Sequence, residues 1–320
     1  MRLLITGATG FVGGAVLNYL ALDPALQIRA AVRGNVGGFS SGVEVIRIDG
    51  LSTNTDWKCA LGGVDVIVHA AARVHVMNDS VANSLTEFRF VNVAGTLNLA
   101  RQAIEAGVRR FVFISSIKVN GESTFLGQPY TADDVSELND PYGISKYEAE
   151  NGLMKLAEET GLEVVVVRPV LVYGPGVKAN FLSMMHWLNK GVPLPFGAIQ
   201  NKRSLVALDN LVDLIATCIC HPAAVNQIFL VSDDEDLSTT ELLQRMALAL
   251  GRPARLLPIP AGLLKSGAAL IGKQDIAQRL LGSLQVDISK TKEMLGWVPP
   301  VSVNDALKKT AEYFLAQYKF

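Results

Sequence analysis

The chain has 320 residues, 49% of them apolar, and its 29 Lys and Arg balance 30 Asp and Glu to a net charge of -1. At ~150 residues per domain this is about two domains with ample core, which excludes disorder as the main state. The neutral balance leaves no overall basic field to hold nucleic acid or an acidic membrane surface.

The N-terminus runs straight into a first strand at 2–6, without the long apolar segment and small-residue cleavage site of a signal peptide. A cytoplasmic protein that starts here is expected. Thr6-Gly7-Ala8-Thr9-Gly10-Phe11-Val12-Gly13 follows and opens a helical pattern over 11–21, with its glycines spaced G-x-x-G-x-x-G. The first glycine permits a tight turn, the second lets the backbone approach a pyrophosphate, and the third allows close helix–strand packing. Free N–H groups and the helix dipole attract the phosphates. Glycine-rich turns close many strand–helix units, but after the first strand of an alternating pattern this one points to a dinucleotide held by Gly7, Thr9, Gly10, Phe11, Val12 and Gly13.

The second strand, 28–32, ends in Arg33-Gly34 where an acidic residue would bind a ribose 2′-hydroxyl. A guanidinium suits a 2′-phosphate, which favours NADP(H). NAD(H) stays open, since an arginine here also stacks on adenine with either cofactor. Asp49, after the strand 43–48, is positioned to accept from the adenine amino group or to serve as a turn residue. Further strands at 64–70, 110–115 and 164–168 are nearly continuous apolar runs, which suit a parallel sheet buried on both faces. They alternate with helical patterns at 85–106 and 142–160.

This alternation implies an α/β fold: a Rossmann-type doubly wound parallel sheet with a smaller, mostly helical C-terminal substrate lobe. Residues 1–173 are assigned to the dinucleotide-binding domain, with 205–232 returning to it through a strand at 228–231. Residues 174–204 and 233–320 are assigned to the lobe. The most apolar region, 256–272, is interrupted by Pro258, Pro260 and Lys265 and is too short and broken to span a membrane. It reads as core or dimer surface. Cys59, Cys218 and Cys220 form no paired framework, which fits a reducing compartment, and no metal site is expected.

Asp140-Pro141-Tyr142-Gly143-Ile144-Ser145-Lys146 has the form of a helix start, with Asp140 as N-cap and Pro141 first in the helix. Tyr142 and Lys146 then share a face. A cation about 4 Å from the phenol, at an effective dielectric of about 20, lowers its pKa by at most ~3 units, towards a general acid/base near neutral pH. Such a pair is also common on solvated helix faces. It gains weight from Phe113-Ile114-Ser115-Ser116-Ile117-Lys118-Val119-Asn120-Gly121, a buried strand ending in two hydroxyls.

At this point the chain resembles, over essentially its whole length, the extended short-chain dehydrogenase/reductase superfamily and its nucleotide-sugar epimerase, dehydratase and reductase branch. The resemblance rests on the glycine motif, His69-Ala70-Ala71-Ala72, Asn92-Val93-Ala94-Gly95-Thr96, Ser115-Ser116, Tyr142-x-x-x-Lys146, Arg168-Pro169-Val170-Leu171-Val172-Tyr173-Gly174-Pro175 and Leu295-Gly296-Trp297-Val298-Pro299. It implies that Tyr142 is the catalytic acid/base, and that Lys146 lowers its pKa and bonds the nicotinamide ribose. Ser116, with Ser115 as second candidate, orients the substrate oxygen, and Asn92 orders active-site water or backbone. Ala70, Ala71 and Ala72 let the cofactor lie close to the fourth strand, Pro169 and Val172 contact its nicotinamide end, and His69 packs against the turn.

The resemblance further implies a UDP-sugar substrate, with Asn180 and Arg203 holding its diphosphate. Lys118 and Asn120, where a tyrosine is often found, join the substrate contacts. A second phosphate-binding arginine is not evident in 283–287. A homodimer through two helices of the sheet domain is expected. The stretch from Ser115 to Glu122 looks most like bacterial surface-polysaccharide enzymes that reduce a UDP-linked 4-keto-6-deoxy-N-acetylhexosamine with NADPH, so a 4-ketoreductase is the leading expectation. The alternative is a UDP-glucose or UDP-N-acetylglucosamine 4-epimerase. A dehydratase fits less well, because Ile117 and Lys118 stand where an Asp-Glu pair is typical, and a non-catalytic dinucleotide sensor would be expected to lose the tyrosine or lysine.

Overall fold

Leu3, Leu4 and Ile5, Val66, Ile67 and Val68, and the run Val164, Val165, Val166 and Val167 are all wholly buried. Such runs need cover on both faces of the sheet. The computed structural model describes residues 1–34, 38–39, 42–74, 81–134, 138–270, 272 and 274–318, with the main chain alone at 81–83 and 275–276.

In chain order, β1 (Arg2–Thr6) leads into α1 (Phe11–Leu20), followed by β2 (Gln27–Val32), β3 (Val43–Arg47), the short α2 (Lys58–Leu61) and β4 (Val66–His69). A long helix follows: α3 (Val81–Phe88), a π-helical segment (Arg89–Gly95) and α4 (Thr96–Glu105). Then come β5 (Arg110–Ile114), α5 (Pro141–Thr160), β6 (Glu163–Pro169), β7 (Leu171–Tyr173), α6 (Ala179–Asn189), β8 (Arg203–Ala207), α7 (Leu208–Cys220) and β9 (Gln227–Val231). The remainder is β10 (Asp236–Leu237), α8 (Thr239–Ala249), α9 (Ala261–Leu270), α10 (Gln274–Leu281), α11 (Ser289–Leu295) and α12 (Val303–Gln317).

Seven strands form one parallel sheet in the order β3-β2-β1-β4-β5-β6-β9, and β10-β8-β7 form a second, small sheet. Alternate residues feed two cores, as the strand period of two requires. Leu3, Ile5, Val66 and Val68 join one core with Val16, Leu211 and Ile215. Leu4, Ile67 and Phe111 join the other with Leu99 and Leu153. Buried Arg110 donates from Nη1 to the carbonyls of Cys218, Ile219 and His221, which caps the C-terminus of α7 and fixes it under the sheet. β9 adds to the sheet edge beside β6 in register Val167 to Phe229.

The third core lies between β7, α6, α8 and α12, and Tyr173, Leu205 and Ala207, expected with the dinucleotide-binding domain, pack in it. The segment 256–272 departs from one reading of the sequence: α9 buries none of its residues, and Leu263 and Leu270 are exposed, so it is not core. Among the described residues α9 packs mainly against α10, while Leu256 and Pro260 ahead of it bridge to Leu194 and Ala198. No helix among the described residues is long and apolar enough to cross a membrane. Cys218 is buried, whereas Cys59 and Cys220 are exposed.

Candidate active site

The glycine turn is built for close approach. Gly7 has φ +70, and a Cβ there would meet the backbone of Ala70 and Ala71 at 2.7 Å. A Cβ on Gly13 would stand 2.2 Å from the Gly7 carbonyl oxygen. The start of α1 at Gly10 has no side-chain cap, and Thr9 and Gly10 are exposed, so its first amides face outward. This cradle, which side chains would fill, fits a dinucleotide pyrophosphate.

His69 links the turn to its surroundings. Its Nδ1 lies 2.7 Å from Thr6 Oγ1 and its Nε2 lies 2.9 Å from Thr96 Oγ1. Burial, then the charge of Lys146, pushes it down to about 3, so the ring is neutral at working pH. The Asn92 motif also acquires reasons. Asn92 accepts from Arg73 N and donates to Ser145 Oγ and Arg73 O, while Gly95 admits Leu51 at a distance where a Cβ would meet it at 2.8 Å. Asn92 therefore orders backbone and sits in the π-helical segment, a frequent mark of functional sites.

Arg33 lies exposed beyond the end of β2 and has no ion-pair partner among the described residues. Asp49 is exposed beyond β3, Ala70, Ala71 and Ala72 line the loop after β4, and Ala71 N donates to Thr6 Oγ1. Pro169 is buried at the end of β6 and Val172 is half-buried in β7.

Asp140 caps α5 by accepting from Gly143 N at 2.8 Å, with Pro141 following it. Tyr142 is half-buried against Phe88, and Lys146 is buried below it. Lys146 Nζ donates to Ile114 O at 2.8 Å and lies 4.4 Å from the Phe113 ring and 5.9 Å from the Tyr142 ring centre. The expected lowering of the phenol's pKa is absent. Burial, and secondarily Asp140, pushes Tyr142 up to about 12, while burial pushes Lys146 down to about 7 against the opposing pull of Glu150. Desolvation here outweighs the attraction that a fixed cation would supply.

Ser116 adopts an extended backbone and accepts from Lys118 N, which leaves its own hydrogen free to donate. Three expectations change. Ser115 is buried and donates to Glu150, so its hydroxyl is committed within the protein rather than to catalysis. Asn120 is wholly buried, bonding Arg168, Thr131 and Asp134, and offers no face to a substrate. Lys118 pairs with Asp140 at 2.9 Å and Glu122 at 3.3 Å, so its charge braces the start of α5.

Asn180 is exposed in the first turn of α6, directly after Ala179, whose φ of 54 is unusual for a residue with a side chain. Arg203, in β8, donates to Gly282 O at 3.0 Å and has no carboxylate partner among the described residues. Burial lowers its pKa, because desolvation disfavours the charged form. Arg279 in α10, three residues before Gly282, is an exposed arginine that lies just ahead of 283–287, where no second arginine is evident. Among the described residues no cluster of His, Cys, Asp and Glu could hold a metal.

The NAD dependent epimerase/dehydratase family matches residues 3–232. A UDP-glucose 4-epimerase from Vibrio cholerae is 52% identical over 314 residues, covering 98% of this chain and 95% of that protein. Among solved structures, UDP-glucuronic acid 4-epimerase from Bacillus cereus in complex with NAD superposes with a TM-score of 0.81 at 21% identity, covering 100% of this chain and 98% of that one. UDP-glucose 4-epimerase from Thermotoga maritima with UDP-glucose does so at 0.76 and 24%, covering 99% of both chains. At these identities the two structures speak for the fold.

Proposed function

The chain belongs to the NAD dependent epimerase/dehydratase family, and from that premise we propose that it is a UDP-hexose 4-epimerase with UDP-glucose as its first candidate substrate. The 52% relative supports the 4-epimerase over the 4-ketoreductase expected from the serine-strand segment. The observation that carries the chemistry is the corner where α5 meets β5: one phenol, one buried ammonium and one free serine hydrogen beside the glycine turn.

When bound, the dinucleotide supplies a reversible acceptor for the C4 hydride. Gly7, Gly10 and Gly13 would hold its pyrophosphate, and Lys146 its nicotinamide ribose. Tyr142 would take the C4 hydroxyl proton as the ketone forms and return it when the hexose is reduced on its other face. Ser116 would donate to the same oxygen and orient it. A phenol held near 12 reaches its base form at neutral pH only with a cation beside it, and Lys146 is the group that can gain a proton there. Arg203 and Asn180 would take the diphosphate, with Arg279 as the second arginine.

A second reading, an NADPH-dependent 4-ketoreductase, is favoured by Arg33, an exposed guanidinium where an acid would select NAD. One experiment separates the two. The purified protein is incubated with UDP-glucose, and separately with a UDP-4-keto sugar and NADPH. Interconversion of C4 epimers without net cofactor change supports the epimerase, and stoichiometric NADPH oxidation replaces it with the reductase. Arg33→Ala should weaken NADPH far more than NADH if the arginine meets a 2′-phosphate, and equal effects exclude that role. A homodimer through helices of the sheet domain completes the reading, and sedimentation of a monomer would overturn it.

A further inference from the structure

A buried polar cluster lies behind the reacting corner. Glu150 is 1% exposed and Arg168 2%. Arg168 donates to both carboxylate oxygens, at 3.0 Å through Nε and 2.6 Å through Nη2, while its Nη1 reaches Asn120 Oδ1 at 3.1 Å and Ala132 O at 3.0 Å. The same carboxylate accepts from the Ser115 hydroxyl. One turn earlier on α5, Lys146 donates to Ile114 O. Two successive residues at the end of β5, Ile114 and Ser115, are thus tied to two successive turns of the catalytic helix. Ser116 is the next residue after the second tie, and Tyr142 lies one turn before Lys146.

From this geometry we infer that Glu150, fixed by Arg168, is a positioning residue: it sets the separation of Ser116 from Tyr142 and supplies the negative charge that keeps Lys146 cationic. The inference rests on the acid/base reading of Tyr142, Lys146 and Ser116. A buried ion pair is weak evidence for stability alone, since apolar groups of similar volume often serve as well. A pair that also accepts from the serine strand and stands one turn from the lysine has a use that apolar groups could not fill. The titratable groups facing Lys146 are Tyr142 and Glu150 from α5 and His69 from β4. Of these only Glu150 carries a carboxylate.

Two variants test this. Ser115→Ala keeps both charges and cuts only the tie. It should fold normally and lower kcat for epimerisation about tenfold with KM little changed, because loss of orientation by a fraction of an ångström acts on the reacting geometry. Glu150→Gln combined with Arg168→Met removes both charges without leaving one unpaired. Lys146 then loses its proton at lower pH, so the alkaline limb of the rate profile moves down by about one pH unit. The same limb read in NADH binding, followed by nicotinamide fluorescence, needs no sugar substrate. A parent enzyme that leaves UDP-glucose unchanged therefore counts against the proposed reaction while this arm still decides the inference. Folded variants with the parent's kcat and pH profile would overturn it, and if the double variant fails to fold, Ser115→Ala decides alone.

Discussion

A phenol pushed up to about 12 keeps its proton at neutral pH, so at Tyr142 everything depends on a hydroxyl that can be lost without disturbing the ring's contact with Phe88. Tyr142→Phe should lower kcat by about 10³-fold, within the span of general acid/base effects, and leave NADH binding within about twofold. Turnover near the parent's would remove Tyr142 from the mechanism. Arg203 makes a different prediction, because it is a half-buried cation bonded to one carbonyl. Arg203→Met should weaken UDP binding by about 10- to 100-fold, the range of a charge-assisted hydrogen bond, while leaving the melting temperature unchanged or higher. Calorimetric titration with UDP reads the first effect, and a lower melting temperature with intact UDP binding would make Arg203 a structural residue. Tyr142, Lys146 and Ser116 were legible in the sequence because an i, i+4 pair and a strand end are local facts. Ser115 was misread because consecutive residues at a strand end point to opposite sides, and nothing local says which side holds the buried carboxylate. Asn120, past the turn 117–119, was misread because its partners Thr131, Asp134 and Arg168 lie 11 to 48 residues away. Glu150 and Arg168 lie 18 residues apart on a helix and a strand, and only tertiary packing joins them.

The first βα unit is the element on which cofactor binding depends, and its tolerance is set by space rather than by propensity. Alanine at Gly13 would place a methyl group 2.2 Å from the Gly7 carbonyl oxygen, a clash with backbone that cannot rotate away. Gly13→Ala should therefore displace α1 from β1, cost about 1–3 kcal/mol or more in urea unfolding, and abolish NADH binding. Gly262→Ala, in exposed α9 with nothing within 4 Å, is the control and should be neutral or stabilising by up to about 1 kcal/mol. Equal stability of the two variants would mean that the turn is looser than its geometry indicates. The parallel strands were legible as apolar runs because burial on both faces removes the polar alternation. The stretch 85–106 read as one regular helix, yet Arg89–Gly95 is π-helical, a local widening that apolar periodicity does not encode. The small sheet of β7, β8 and β10 was not legible, since strands of two to five residues leave too short a pattern to separate from loop.

Across the whole molecule, one buried ring links acidity to stability. His69 connects β1, β4 and α4 through Thr6 and Thr96, and stacks on Phe113 of β5. Burial holds its folded pKa near 3, against about 6.5 in the unfolded chain. Below pH 6.5 the unfolded state therefore binds a proton that the native state refuses. Stability rises with pH where the unfolded state binds more protons, so it must fall on acidification from 6.5 towards 3. The slope approaches about 1.4 kcal/mol per pH unit, which amounts to about 2–3 kcal/mol by pH 4.5, a sizeable part of the 5–15 kcal/mol typical of a folded domain. Glu241, whose carboxyl is lowered to about 2 by its capping bonds at the start of α8, acts in the same direction but only below its unfolded value near 4.5. The window from pH 6.5 to 4.5 therefore isolates the histidine from it. Urea unfolding at half-unit steps through that window should show the loss in the parent and a much flatter profile in His69→Gln, which keeps polar atoms near both threonines and has nothing to titrate. An unchanged slope in the variant would mean that His69 takes its proton without unfolding, and that the junction of β1, β4 and α4 opens to solvent in the native state.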